Sequence, residues 1–267
     1  MRVLLAALLS IALLGVAPAL AADPLAEARR LYNLGEYDAA TRYAHEAMKV
    51  PATSESGRLV LGRVHLEQYR RSADPEDLTR ARDALRAIYP ESLDRSERAE
   101  LTIGLGQCLF LEDRFGAASE SFERALDSST ALGPVAHERV LDWWATALDR
   151  LALSRPRDLR EPFYARIVTR MEKELALDPT SAPAAYWLVA AFRGVGNLDR
   201  AWYAAGAGWV NAIFSRDRGA ALRADLDRLA VQGIIPERAA RLQPRDYKQA
   251  AAGMLAEWEA LKAGYTR

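Results

Sequence analysis

Catalytic chemistry in a sequence is recognised from nucleophiles, bases and metal ligands at fixed spacings, and this chain carries few of them. Three histidines and the single Cys108 are too few for a Cys/His metal cluster, and one cysteine cannot close an intramolecular disulfide. His137-Glu138 opens like a His-Glu-x-x-His zinc pair, but the residue four after His137 is Leu141, which is no ligand. His137 therefore reads as an early residue of a helix. Cys108 lies in the apolar run Leu105 to Leu111 and reads as a buried, inert thiol. Gly194-Val-Gly196 lacks both a preceding strand and the third glycine of a dinucleotide site, so it reads as a turn between helices. There is no Gly-x-Ser-x-Gly elbow, no phosphate loop and no Cys-x-x-Cys. Asp225 with Asp227, and Glu172 with Glu174, have the residue types for acid-base work. Their neighbours Arg223, Arg228, Arg170 and Lys173 make a solvated, charge-laced helix face the plainer account. The expectation is a non-enzymatic protein without cofactor or metal, with a site converging from distant segments as the way an enzyme would escape a linear search.

Residues suited to binding are better represented. The doublets Trp143-Trp144, Tyr186-Trp187 and Trp202-Tyr203 place two large rings at adjacent positions, which on a helix point in different directions. Trp144 and Trp202 are expected in the core, with Trp209 seven residues beyond Trp202 on the same face. Arginine greatly outnumbers lysine, which stands only at 49, 173, 248 and 262. A guanidinium-rich binding surface and a compositional bias of the source both account for that. Arginines are interleaved with Asp and Glu, and the formal net charge is zero, so no basic groove for nucleic acid is expected.

These residues have to be positioned by helices. The chain is 267 residues long, half hydrophobic and 27% charged, which excludes a wholly disordered polymer. Residues 1–21 follow the grammar of a cleaved signal peptide: Arg2, an apolar run from Val3 to Val16, Pro18, then Ala19-Leu20-Ala21 as a small-x-small cleavage site. The run is shorter than the ~20 apolar residues that span a bilayer comfortably, which disfavours the alternative of an uncleaved anchor. The mature chain is expected to begin near Ala22 without an integral membrane span, in the periplasm or secreted. Ala, Leu, Arg and Glu dominate that mature chain, and its stretches between Pro and Gly lack alternating Val/Ile/Thr runs, so the fold class is all-α.

Self-similarity organises those helices. Leu105-Gly106, Phe115, Ala118, Phe122 and Ala125 place small residues where two helices must cross and large apolar ones around them. Residues 28–51 repeat the order with Ala28, Leu31, Gly35, Tyr37, Ala40, Ala44, Ala47 and Pro51, and residues 188–208 do so with Leu188, Phe192, Gly196, Leu198, Ala201, Ala205 and Gly208. Two looser units intervene. One has Leu61-Gly62 with Ala81, Leu85 and Ile88; the other has Trp144-Ala145 and Leu148 with Ile167, Met171, Leu175, Leu177 and Pro179. This order resembles the tetratricopeptide repeat (TPR), with Thr102 and Thr130 in place of the family's leading Trp and terminal Pro. Taking Ala40, Ala81, Ala118, Ile167 and Ala201 as equivalent, the spacings are 41, 37, 49 and 34, so the second and fourth units need longer first helices or loops.

The resemblance implies a right-handed superhelix of about five TPR-like hairpins over 22–212, with residues 213–267 as C-terminal helices capping the stack. Capping signals agree: Asp94-x-x-Glu97, Asp74-Pro75 and Asp178-Pro179 at helix starts, Gly35 and Gly196 in turns. A helix is expected from about Asp217 to Gln232, stopped by Gly233 and Pro236. A last one runs from about Pro244 to Ala263, with Tyr247, Ala251, Met254, Trp258 and Leu261 facing the stack. In such a fold the first helix of each unit lines the concave face. That register puts Arg29, Tyr32, Asn33, Arg63, Glu67, Gln107, Phe110, Asp142, Thr146, Asp149, Tyr186 and Arg193 there. Groove Tyr and Arg are residue types that carry interface energy. The expected function is an exported protein-protein interaction scaffold, binding a partner protein on the concave face. The alternative is a small-ligand carrier or transport accessory with an aromatic pocket around Tyr186 and Trp187. No repeated Lys/Asn set favours capture of a peptide terminus.

Overall fold

The computed structural model describes residues 23–129 and 132–265. The expected signal peptide and its cleavage position, together with Thr130, lie outside them. Among the described residues the secondary structure is helical, without a strand, and no helix is long and apolar enough to cross a membrane. Helices succeed one another in packed neighbouring pairs: α1 (Pro24–Asn33) with α2 (Tyr37–Met48), α3 (Ser54–Ser72) with α4 (Pro75–Arg86), α5 (Arg95–Leu111) with α6 (Phe115–Ser129), α7 (Pro134–Leu153) with α8 (Glu161–Leu177), and α9 (Ala182–Gly194) with α10 (Leu198–Asn211). Three more, α11 (Ala220–Leu229), α12 (Ile235–Leu242) and α13 (Tyr247–Gly264), complete the chain.

Local chemistry explains the boundaries. Asp23 and Asp74 each accept a backbone N–H two residues on, ahead of a proline in the first helical turn, and Asp94 forms a full capping box with Glu97. Asp178-Pro179 does not start a helix. It lies in a turn, and α9 begins three residues later because Ser181 supplies the cap and Pro183 the first-turn proline.

The three units most legible in the sequence end their first helix in the same way. Gly35, Asp113 and Gly196 are left-handed, with φ of 75°, 57° and 75°. At each, the N–H of that residue donates to the carbonyl three back and the next N–H donates five back, as in Glu36 to Leu31, Arg114 to Leu109 and Asn197 to Phe192. That bond pair is the Schellman motif, which turns the chain sharply enough to lay the second helix against the first. Asp113 occupies a glycine's place because aspartate tolerates the left-handed region better than most residues. In the looser units, α3 ends with a single bond from Ala73 to Tyr69 and α7 runs into the 3-10 turn Arg157–Leu159. Their first helices are 19 and 20 residues long, against 10 for α1 and 13 for α9, as the irregular spacings require.

Close crossings fix the pairs. A Cβ on Gly106 would sit 2.8 Å from the Phe122 ring, and one on Gly62 would sit 2.6 Å from Leu85, so glycine on the first helix makes room for the buried side chain on the second. Full burial of such a side chain contributes about 1.5–3 kcal/mol. The core continues as successive clusters along the chain, and Trp187 and Val189, on one helix, belong to different ones. Cys108 is buried and its thiol is pushed up to about 12 by burial, so it stays protonated.

Two sequence expectations are corrected at the C-terminal end. Gly233 and Pro236 do not stop the helix: α11 passes through a π-helical segment, Ala230–Ile234, directly into α12. The wide turn takes the carbonyl opposite Pro236 out of α-helical register, relieving the clash that breaks ordinary helices. Gly233 leaves space for the Arg193 guanidinium, which a Cβ would approach to 2.8 Å. The last helix starts at Tyr247 rather than Pro244, and Tyr247 itself is 46% exposed. Ala251, Met254 and Leu261 do pack inward, and Trp258 lies between Trp202 and Trp209 at ring-centroid distances of 5.7 and 5.6 Å.

Glu174 is likewise no solvated residue. It is 8% exposed and accepts from His137 Nε2 at 2.9 Å and Arg170 Nε at 2.6 Å, tying α7 to α8. Burial alone would raise its pKa, but these two hydrogen bonds outweigh it and hold the carboxyl below the usual value. The bonds therefore stabilise the fold fully above about pH 4.5, and that contribution is lost as pH falls through the depressed value. Glu174→Gln is expected to cost about 1.5–3 kcal/mol at pH 7 and to flatten the acid limb of the stability curve. Identical acid slopes for the two proteins in thermal unfolding between pH 3 and 7 would contradict this.

Candidate functional site

Three odd-numbered helices bring one group of the expected residues together. Tyr32 of α1, Arg63 and Glu67 of α3, and Gln107 of α5 line a cleft of about 250 Å³, closed on the far side by Ala136, Arg139, Val140 and Trp143 of α7. Successive first helices α1, α3 and α5 lie side by side, which is why residues 31 to 44 positions apart share one surface. The floor is apolar: Leu66 and Val140 are buried, and Trp143 meets Phe110 edge to face at 4.9 Å.

Charged groups span the helices above that floor. The Arg63 guanidinium sits 4.3 Å above the Tyr32 ring and its Nη1 donates to Glu100 at 2.6 Å, so one side chain ties α1, α3 and α5. A cation over an aromatic face is worth about 0.5–2 kcal/mol, more when desolvated. Burial raises the Tyr32 phenol above its ordinary pKa, with the Arg63 charge opposing, so Tyr32 is a neutral hydroxyl at pH 7. Arg70, one heptad beyond Arg63, pairs with Glu67 and lies 5.2 Å from the Trp143 ring centroid. Arg29 pairs with Glu97, a second tie from α1 to α5.

No family model matches this chain, and no curated protein matches it. What the cleft can do therefore rests on its own geometry. It offers flat aromatic surface, guanidinium groups and an open amide, residue types that carry interface energy.

The remaining expected residues are placed elsewhere or serve as ties. Asn33 is exposed at the end of α1. Phe110 is a packing residue, between Phe115 at 5.3 Å and Trp143. Asp142 accepts the Trp187 indole N–H at 2.8 Å, and the Thr146 hydroxyl donates back to the Asp142 carbonyl. Asp149 accepts from the Tyr164 hydroxyl at 2.9 Å, and burial pushes its carboxyl above the ordinary range despite that bond. Tyr186 stacks edge-on against Trp187 at 5.3 Å. Trp187 is only 8% exposed, so it fills core space next to Tyr186. Arg193 bonds Glu237 at 2.6 Å and so joins α9 to α12.

Arg70, Glu100, Arg139 and Trp143 also belong to the cleft, although the concave-face register does not select them. Arg70 is seven after Arg63 and Glu100 seven before Gln107, so a heptad step along each helix reaches both. Trp143 is masked by its doublet: Trp144, at 1% exposure, takes the core position and turns Trp143 toward the cleft.

Proposed function

We propose that this chain is an exported, non-enzymatic TPR-like scaffold, five helix pairs wound as a right-handed superhelix, that holds a segment of a partner protein in the cleft between α1, α3, α5 and α7. The carrying observation is that cleft, in which Tyr32, Arg63, Gln107 and Trp143 converge from four separate helices onto one surface. The repeated Schellman turn at Gly35, Asp113 and Gly196 supports the repeat reading, because one unit copied along a chain reproduces its turn geometry as well as its apolar pattern. Export rests on the grammar of residues 1–21. A protein segment fits better than a small ligand, since the cavity is smaller than the ~300–1,000 Å³ of drug-sized ligand sites and is rimmed by charge rather than enclosed.

A crosslinked pull-down of the tagged chain from its exported compartment, with proteins and co-purifying small molecules both identified by mass spectrometry, tests this. The expected result is a reproducible protein partner whose recovery falls at least tenfold when Tyr32 and Arg63 are both changed to alanine, with unaltered circular dichroism. Recovery unaffected by the double change would remove the cleft from the function, and a bound small molecule without a protein would replace the scaffold with a carrier.

A further inference from the structure

The cleft is not electrically balanced. Three arginines line it, Arg63, Arg70 and Arg139, against two glutamates, Glu67 and Glu100. Arg63 is neutralised by Glu100 and Arg70 by Glu67. Arg139 is exposed on α7, one turn before Trp143, and has no acidic partner among the described residues. The adjacent Glu138 is engaged by Arg216 at 3.4 Å, Glu174 on α8 by His137 and Arg170, and Asp142, three residues on, by the Trp187 indole N–H, and none of the three pairs with Arg139. Across the cleft, the Gln107 amide has no hydrogen bond within the described residues and presents both a donor and an acceptor.

We propose that the occupant is an acidic peptide segment, with an Asp or Glu carboxylate seated on Arg139 and its backbone read by Gln107; this rests on the scaffold reading above. A guanidinium binds a carboxylate through two parallel N–H···O bonds, which fixes orientation as well as charge. Trp143, half-buried on the cleft wall, then receives an apolar side chain next to the acidic one. A basic segment meets an uncompensated cation at the same place and is rejected.

The test is an array of immobilised decapeptides with randomised apolar positions, in three sets whose polar positions are Asp/Glu, Asn/Gln or Lys/Arg, probed with the labelled purified chain at low salt. The acidic set is expected to retain at least ten times the signal of the amide set, to fall toward it as salt rises, and to lose the preference in Arg139→Gln. Arg139→Gln removes no bond among the described residues and leaves the fold intact, and Arg245→Gln, an exposed arginine outside the cleft, keeps the preference. Equal retention of acidic and amide sets, best retention of the basic set, or a preference unchanged by Arg139→Gln overturns the proposal. If the amide set binds equally and Gln107→Ala weakens it, the cleft remains a peptide site without acidic selectivity. If no set binds, both the acidic selectivity and the peptide-holding reading fail.

Discussion

Replacing Trp258 with alanine is expected to cost about 3–5 kcal/mol, the range for emptying a large aromatic site in a packed core. Trp258 is 1% exposed and lies between the rings of Trp202 and Trp209, so its removal strips contacts from α10 as well as α13. Its indole N–H also donates to Asp227 at 2.8 Å, linking α13 to α11, and the same carboxylate accepts from Lys262 at 2.7 Å. Trp258→Phe keeps most of the volume and loses the hydrogen bond, so it should cost about 1–3 kcal/mol. In a chain whose core is a series of neighbouring clusters, loss at one end propagates weakly to the other. Hydrogen exchange in Trp258→Ala should therefore accelerate in α10 to α13 and leave α1 to α4 close to wild type. Uniform acceleration along the chain would mean a single cooperative unit and contradict the cluster picture.

Which features can be read from the sequence depends on how local their causes are. The pairing Gly106 with Phe122, the left-handed Gly35 and Gly196, and the Asp94–Glu97 capping box each depend on residues within about twenty positions, and each is visible as a spacing. The passage of α11 into α12 is not local. Gly233 and Pro236 carry stop signals that the π segment overrides, and Gly233 is required by the Arg193 guanidinium forty residues away. Glu174 misleads for the same reason: Arg170 and Lys173 beside it suggest a solvated face, whereas His137 on the preceding helix draws it into burial.

The site divides along the same line. The repeat register carried from α1 to α5 is enough to select Tyr32, Arg63, Glu67 and Gln107, because those helices lie side by side. It fails at Phe110, the last turn of α5, where the side chain turns under Trp143 instead of facing outward. It also fails to separate groove from tie at Asp142, Asp149 and Arg193, whose partners Trp187, Tyr164 and Glu237 come from other helices. Register tells which face a residue occupies, and only the packing of neighbouring elements decides whether that face is open.

Gly219 and Gly196 give a matched pair that separates backbone conformation from close contact. Both are left-handed, at φ of 74° and 75°, so alanine at either meets the same intrinsic penalty of about 1–2 kcal/mol. Around Gly196 there is nothing within 4 Å of a Cβ, and Gly196→Ala should cost that penalty alone. At Gly219 the Cβ would fall 2.1 Å from the carbonyl oxygen of Ala212, a backbone atom that cannot rotate aside. Asp217 and Arg218 before it are left-handed as well, at φ of 53° and 55°, so the segment entering α11 has no relaxed neighbour to absorb a shift. Overpacking of this kind adds about 1–3 kcal/mol or more. Gly219→Ala should therefore cost about 2–5 kcal/mol against about 1–2 for Gly196→Ala, read from urea unfolding with local hydrogen exchange in α11. Equal losses would mean that residues 212–219 move apart without cost, and the tight turn into α11 would then not be what seats the C-terminal helices on α9 and α10.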